Sequence, residues 1–245
     1  MKILFLLSLV LSLYAKTIYL TFDDGPVRGT KNVLEVLSKQ NVKATFFMVG
    51  KHIVEDKESI SIYKKITKNP LFLVTNHSFS HANNRYRRFY YSSSKKIIFD
   101  FQKTKNILND NNISKFKSYT RLPGRNVFRL KNISKNDIFI SKKQTQRELK
   151  NYDALYKAGF FLYGWDDEWE YDYEERNFKK TPYEMLLSIK KNFKRNKIIQ
   201  KEKFILLLHD NMFQNYYGGK KQLTQLIRLL KKDGWIFETI DDYIK

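Results

Sequence analysis

Residues 17–49 read TIYLTFDDGPVRGTKNVLEVLSKQNVKATFFMV, and the order of patterns within them decides the fold. Thr17–Phe22 is a β-rich run closed by Asp23-Asp24-Gly25-Pro26, where Gly and Pro end a strand in a turn. Residues 30–40 then carry apolar positions at helical spacing, and Val42–Val49 is β-rich again. Strands that alternate with helices in this way lie parallel and are joined by crossovers. Further strands are expected at Leu71–Val74, Ser118–Arg121, Phe160–Trp165, Phe204–Leu208 and Trp235–Phe237. Further helices are expected at 53–68, 93–109, 144–158, 182–196 and 219–233, the last with Leu223, Leu226, Ile227 and Leu230 on one face. With no internal repeat and no Pro/Gly/Ser linker, the expectation is a single α/β domain over residues 16–245.

Composition narrows the chemistry. The 245 residues contain no cysteine, which excludes disulfide scaffolds, thiolate metal sites and cysteine nucleophiles, so any metal must be held by His, Asp or Glu. The formal charge of +21 invites a nucleic-acid reading. Lysines are spread along the whole chain without a block of five or six like charges, and a solvated basic surface is the better reading. Association with an anionic cell envelope is compatible with that charge.

The first fifteen residues point to export. Lys2 precedes an apolar stretch from Ile3 to Leu13, broken only by Ser8 and Ser12, and a cut after Ala15 fits a signal peptide over 1–15. The stretch is short for a membrane span, which needs about 20 apolar residues. Leu13 is larger than the residue usual at that place, so an uncleaved anchor is the alternative. Either way the protein is expected to be periplasmic or secreted, and no nucleic-acid partner is expected.

In an α/β barrel, residues just past the C-terminal ends of strands build the site. The first strand delivers Asp23 and Asp24, adjacent carboxylates that can divide cation binding from proton acceptance. The third is followed by His77-Ser78-Phe79-Ser80-His81, whose i and i+4 histidines would share one face of a helical turn, at metal-ligand spacing. His52 reads as structural. Arg121-Leu122-Pro123-Gly124-Arg125 offers a guanidinium fork for a carboxylate and, at Gly124, close backbone approach to a ligand. Trp165-Asp166-Asp167-Glu168-Trp169 is an acidic, aromatic strand end, and Leu206-Leu207-Leu208-His209-Asp210 is a buried strand that delivers a histidine to its tip.

In that order, Thr21–Pro26, His77–His81, Arg121–Gly124, Trp165–Trp169 and Leu207–His209 resemble the five motifs of the polysaccharide deacetylases, the NodB-homology domain or carbohydrate esterase family 4, over roughly residues 17–243. The resemblance implies a distorted (β/α) barrel with a divalent metal, most often Zn2+ with Co2+ or Ni2+ as substitutes. It also implies hydrolysis of N-acetyl groups on an acetylated polysaccharide. By position, Asp24, His77 and His81 would be the metal ligands, Asp23 the general base and His209 the general acid. Arg121 would orient Asp23, Leu207 would line the acetyl pocket, and Gly124 and Trp165 would face substrate. One acid among Asp166, Asp167 and Glu168 would support the second proton-transfer group. Glu168-Trp169 stands where the family's fourth motif usually has Asp-Trp, which leaves that acid open, and Gly124 stands where an aromatic is common.

The chemistry asks for these roles independently of the family. Amide hydrolysis needs an activated water, a proton acceptor for it and an acid for the departing nitrogen. Alternatives are a non-catalytic glycan-binding module of the same fold and a deacetylase of O-acetyl esters.

Overall fold

The computed structural model describes residues 16–110, 118–136 and 146–244. The export signal expected at residues 1–15 lies outside the described residues.

The strands are β1 (Thr17–Asp23), β2 (Ala44–Met48), β3 (Phe72–Asn76), β4 (Tyr119–Thr120), β5 (Phe128–Leu130), β6 (Ile133–Lys135), β7 (Phe161–Leu162), β8 (Asp167–Glu168), β9 (Tyr171–Asp172), β10 (Asn177–Phe178), β11 (Lys203–His209) and β12 (Ile236–Phe237). The helices are α1 (Arg28–Gln40), α2 (Gly50–Ile53), α3 (Lys57–Lys68), α4 (Tyr86–Tyr90), α5 (Ser94–Asp110), α6 (Gln146–Lys157), α7 (Pro182–Lys194) and α8 (Gly219–Lys232). One curled sheet runs β6-β5-β7-β4-β3-β2-β1-β11-β8, with β12 added alongside β1. All its pairings are parallel except those of β5 with β6 and with β7. This is the distorted (β/α) barrel expected from the sequence.

Period-two alternation sorts each central strand between two cores. In β1, Ile18, Leu20 and Phe22 face the helices, where they join Val33, Val36 and Leu37 of α1 and Leu223, Leu226, Ile227 and Leu230 of α8. Each such fully buried side chain contributes roughly 1.5–3 kcal/mol, which pins the helices to the outside of the sheet. Tyr19 points the other way, into an inner cluster with Phe47, Tyr163, Ile205 and Tyr243. Thr21 and Asp23 share the parity of Tyr19; in β11, Leu207 and His209 share that of Ile205. The inner face is therefore aromatic at its base and polar at the C-terminal ends of its strands.

Local chemistry sets several boundaries. The single helix expected over 53–68 is two, because the Asp56 carboxylate caps α3 by accepting from the Ser59 amide at 2.7 Å. Thr181 and Glu184 form a reciprocal capping box around Pro182 at the start of α7. The β5–β6 hairpin, the β9–β10 ribbon, β8 and α4 were not expected from periodicity, since elements of two to five residues are too short to display a period.

Candidate active site

Asp23 ends β1, and its partner across the parallel ladder is His209, which ends β11. Side chains paired this way point to the same face, so residues from opposite ends of the chain meet over the inner core. Arg121 follows β4 and is fully buried beneath them. Its Nη1 donates to Asp23 Oδ1 at 2.9 Å and to Thr21 Oγ1 at 2.7 Å, while Nε and Nη2 donate to the carbonyls of Tyr163 and Gly164. Burial lowers the Arg121 pKa and the Asp23 carboxylate opposes that. The fork therefore holds Asp23 in one orientation.

Asp24 turns away from its neighbour because its backbone is left-handed, at φ 74°. A non-glycine residue in that region is strained, and such strain concentrates at functional sites. The Asp24 carbonyl is held by His52 Nδ1 at 2.7 Å, which gives the histidine expected to be structural a place directly behind the site. Asp24 Oδ1 then lies 3.0 Å from His81 Nε2 and 3.5 Å from His77 Nε2. His77 Nδ1 donates to the Arg121 carbonyl at 3.0 Å and His81 Nδ1 to Asn84 Oδ1 at 2.9 Å. In neutral imidazoles that arrangement leaves both Nε2 atoms without a proton.

Three acceptors thus converge within 4.8 Å of one another, and buried Asp24 Oδ1 has no well-formed hydrogen bond among the described residues. Converging acceptors without a donor fit a cation, and one carboxylate with two imidazoles is a ligand set that zinc takes. Burial works to raise the Asp24 pKa, yet the two imidazoles hold it well below the usual carboxylate range. Burial likewise works to lower that of His81, and Asp24 pushes it up. In the absence of a cation, a proton is drawn to the same place.

The helical turn expected for His77–His81 is not present. β3 stops at Asn76, Ser78 is left-handed at φ 65°, and His81 opens a 3-10 turn over residues 81–84 with φ 49°. The amides of Phe79 and Ser80 are satisfied by the Asp100 carboxylate of α5, and that of Ser78 by Asn76 Oδ1. Side chains reaching across the fold therefore shape the loop, and the two imidazoles converge without a helix, their ring centroids 5.2 Å apart.

The sequence left the supporting acid open among Asp166, Asp167 and Glu168. Asp166 accepts from the amides of Ile205 and Ile199, and burial pushes its pKa up to about 6. Asp167 accepts from Ser188 Oγ and Asn192 Nδ2 of α7. Glu168 Oε1 lies 3.7 Å from His209 Nδ1, which makes it the acid of the three beside the imidazole. Burial raises the Glu168 pKa and His209 works against that.

All the sequence-expected site residues except Arg121 line one cavity of about 560 Å³. Leu207 is buried in its floor, and Asn126 clamps Trp165 by bonding both its amide and its carbonyl. Three contributors have no role assigned from the sequence. Tyr86 packs edge-on to His81 and lies so close to Gly124 that a Cβ there would come within 3.0–3.1 Å of its ring. It supplies an aromatic where Gly124 lacks one. Asn126 is the second. Asp210, fully buried next to His209, accepts from Thr30 Oγ1 and leaves Oδ1 without a partner among the described residues, with its pKa pushed up to about 8 by burial.

The sequence model of the polysaccharide deacetylase family matches residues 12–136, and the chain belongs to that family. It is 27% identical to YheN of Bacillus subtilis, a protein assigned to polysaccharide deacetylases, over 93% of this chain and 68% of that one. It is 24% identical to a chitin disaccharide deacetylase of Vibrio alginolyticus, over 97% and 75%. Among solved structures, a CE4 esterase of Streptococcus mutans superposes with a TM-score of 0.64 at 25% identity, covering 92% of this chain and 86% of the other. A CE4 family pseudoenzyme from Bacillus anthracis shares the fold, with a TM-score of 0.61 at 21% identity over 94% and 66%.

Proposed function

We propose that the protein is a metal-dependent hydrolase that removes N-acetyl groups from an amino-sugar polysaccharide of the cell envelope or matrix, peptidoglycan-like or chitin-like. The observation that carries this reading is the set of three converging acceptors on Asp24, His77 and His81, flanked by an oriented carboxylate and an imidazole that share one rung of the ladder. Family membership supports the reaction class. These three side chains would hold the cation, zinc by its ligand preference. When bound, it supplies Lewis acidity that lowers the pKa of water and polarises the acetyl carbonyl.

The chain's own residues do the rest. Asp23, fixed through Oδ1 by Arg121, keeps Oδ2 to accept the proton of the attacking water as the new oxygen–carbon bond forms. Leu207 gives the acetyl methyl an apolar contact at the cavity floor. His209, with Nδ1 turned to Glu168, has Nε2 left to protonate the nitrogen as the carbon–nitrogen bond breaks, because an amide anion is too basic to leave. Acetate and a free amine result. We place the enzyme outside the cytoplasm on the pattern of residues 1–15, where such a polymer is met and where net positive charge favours an anionic envelope.

Acetate release from peptidoglycan, chitin oligomers, poly-N-acetylglucosamine and acetylated xylan, before and after chelation, tests the reading. Chelator-sensitive release from an amino-sugar polymer is the expected result. Release from xylan alone would make it an O-acetyl esterase; binding with no release anywhere would make it a glycan-binding module.

A further inference from the structure

Beside the catalytic cavity lies a second one of about 690 Å³, lined by Arg85, Tyr86, Arg87, Arg88, Tyr91 and Arg125. Tyr86 is the wall between them and lines both. Among the described residues, the lining contains four guanidinium groups and no carboxylate. Arg125 is already neutralised, since Nη2 pairs with buried Glu148 at 2.8 Å. Arg85, Arg87 and Arg88 are exposed and make no ion pair among the described residues. Arg87 lies over the Tyr91 ring, 5.5 Å from its centroid. All three guanidiniums line the one cavity, so their like charges add in the potential there and favour an anion.

We propose that Arg85, Arg87 and Arg88 form an anion subsite contiguous with the catalytic cavity, which takes an oxyanion, carboxylate or phosphate, carried by the same glycan strand. Its catalytic consequence rests on the deacetylase reading. A strand whose acetamido group reaches Asp24, His77 and His81 leaves the cavity past Tyr86, and the next sugars arrive among the three guanidiniums. Guanidinium forks match carboxylate and phosphate oxygens, and the Tyr86 and Tyr91 rings offer apolar faces to the pyranose between them. The subsite selects an acidic strand over a neutral one.

The test compares soluble glycan strands released from peptidoglycan with three controls: the same strands with carboxylates amidated, the same strands stripped of phosphate, and a chitin hexamer. Binding to the chelator-treated protein and acetate release by the metal-loaded protein are measured in parallel at low salt. The wild type is expected to prefer untreated strands over the neutralised form roughly ten-fold, the combined size of a few exposed charge contacts, and to lose the preference at high salt. In the triple variant Arg85→Gln/Arg87→Gln/Arg88→Gln that ratio should fall to about one, while the triple Lys variant keeps part of it and controls for folding. Loss of preference on amidation names a carboxylate, and loss on phosphate removal names a phosphate; either supports the subsite. A preference unchanged in the Gln variant, or absent from the wild type, overturns it. Arg-dependent binding with no acetate release from any strand would sink the deacetylase reading and leave the subsite standing.

Discussion

Asp23 and His209 occupy the same rung of the parallel ladder between β1 and β11 and face the same side of it. The proposed base and acid are thus set by sheet register, the most rigid relation the fold offers. Asp24, one residue further, leaves the strand through its left-handed backbone and joins the imidazoles. One peptide unit sends two carboxylates to different partners, Asp23 to Arg121 and Asp24 to the imidazoles.

That division predicts different outcomes for two similar substitutions. Asp23→Asn keeps the cation but removes the proton acceptor, so turnover should fall by at least about 10²-fold with metal content unchanged. Asp24→Asn should lose metal, as should His77→Ala and His81→Ala. Elemental analysis beside acetate release reads both. Full metal in the Asp24 variant with loss in the Asp23 variant would exchange the assignments.

Arg121 makes four side-chain hydrogen bonds and is wholly enclosed, so its replacement should be felt in the fold as well as in catalysis. Arg121→Met leaves the buried Asp23 carboxylate and two backbone carbonyls without their donor. Breaking a buried pair from one side costs about 3–5 kcal/mol. Urea unfolding of the metal-free protein should show a loss of that order, and a loss under about 1 kcal/mol would mean that water replaces the fork.

The strand tips of this site were legible in sequence because β1 and β11 are long enough to show both their apolar alternation and their polar ends. The loop at His77–His81 is not legible from its spacing: the i, i+4 pattern is local and predicts a helical turn, whereas Asp100, which satisfies its amides, lies some twenty residues away on α5. Glu168 could not be separated from Asp166 and Asp167 by pattern, since the choice depends on which carboxylates are captured by amides from β11 and by side chains of α7. For Asp210 the sequence offers a place beside His209 and no role. It follows His209 as any loop residue might, and its partner Thr30 lies 180 residues away.

Asp210 gives a pH dependence of definite sign. Burial raises its folded pKa to about 8 from the ordinary 3.8, so between those values the folded state keeps a proton that the unfolded chain has released. Fewer protons on the unfolded side make stability fall as pH rises through this window, by at most about 1.4 kcal/mol per pH unit. Asp210→Asn removes the titration and keeps an acceptor for Thr30. The variant should therefore gain on the wild type steadily from about pH 4 to pH 8 in chelator-treated urea titrations, with no further gain above. A difference between the two that does not change with pH would place the Asp210 pKa at its ordinary value.

Glu168 and His209 supply the final prediction, which separates proton donation from mere binding. His209 is argued to protonate the departing nitrogen, so His209→Gln should cut hydrolysis of an N-acetyl amide far more than that of an activated aryl acetate, whose phenolate leaves unaided. Metal content should not change. Glu168 acts one step back: its carboxylate faces Nδ1 at 3.7 Å, so it reaches the amide only through the imidazole. In Glu168→Gln the same selectivity should therefore appear in weaker form, the amide losing more than the aryl acetate and both losing less than in His209→Gln. Equal losses on both substrates in His209→Gln would confine His209 to holding the acyl group and send the acid role to another residue.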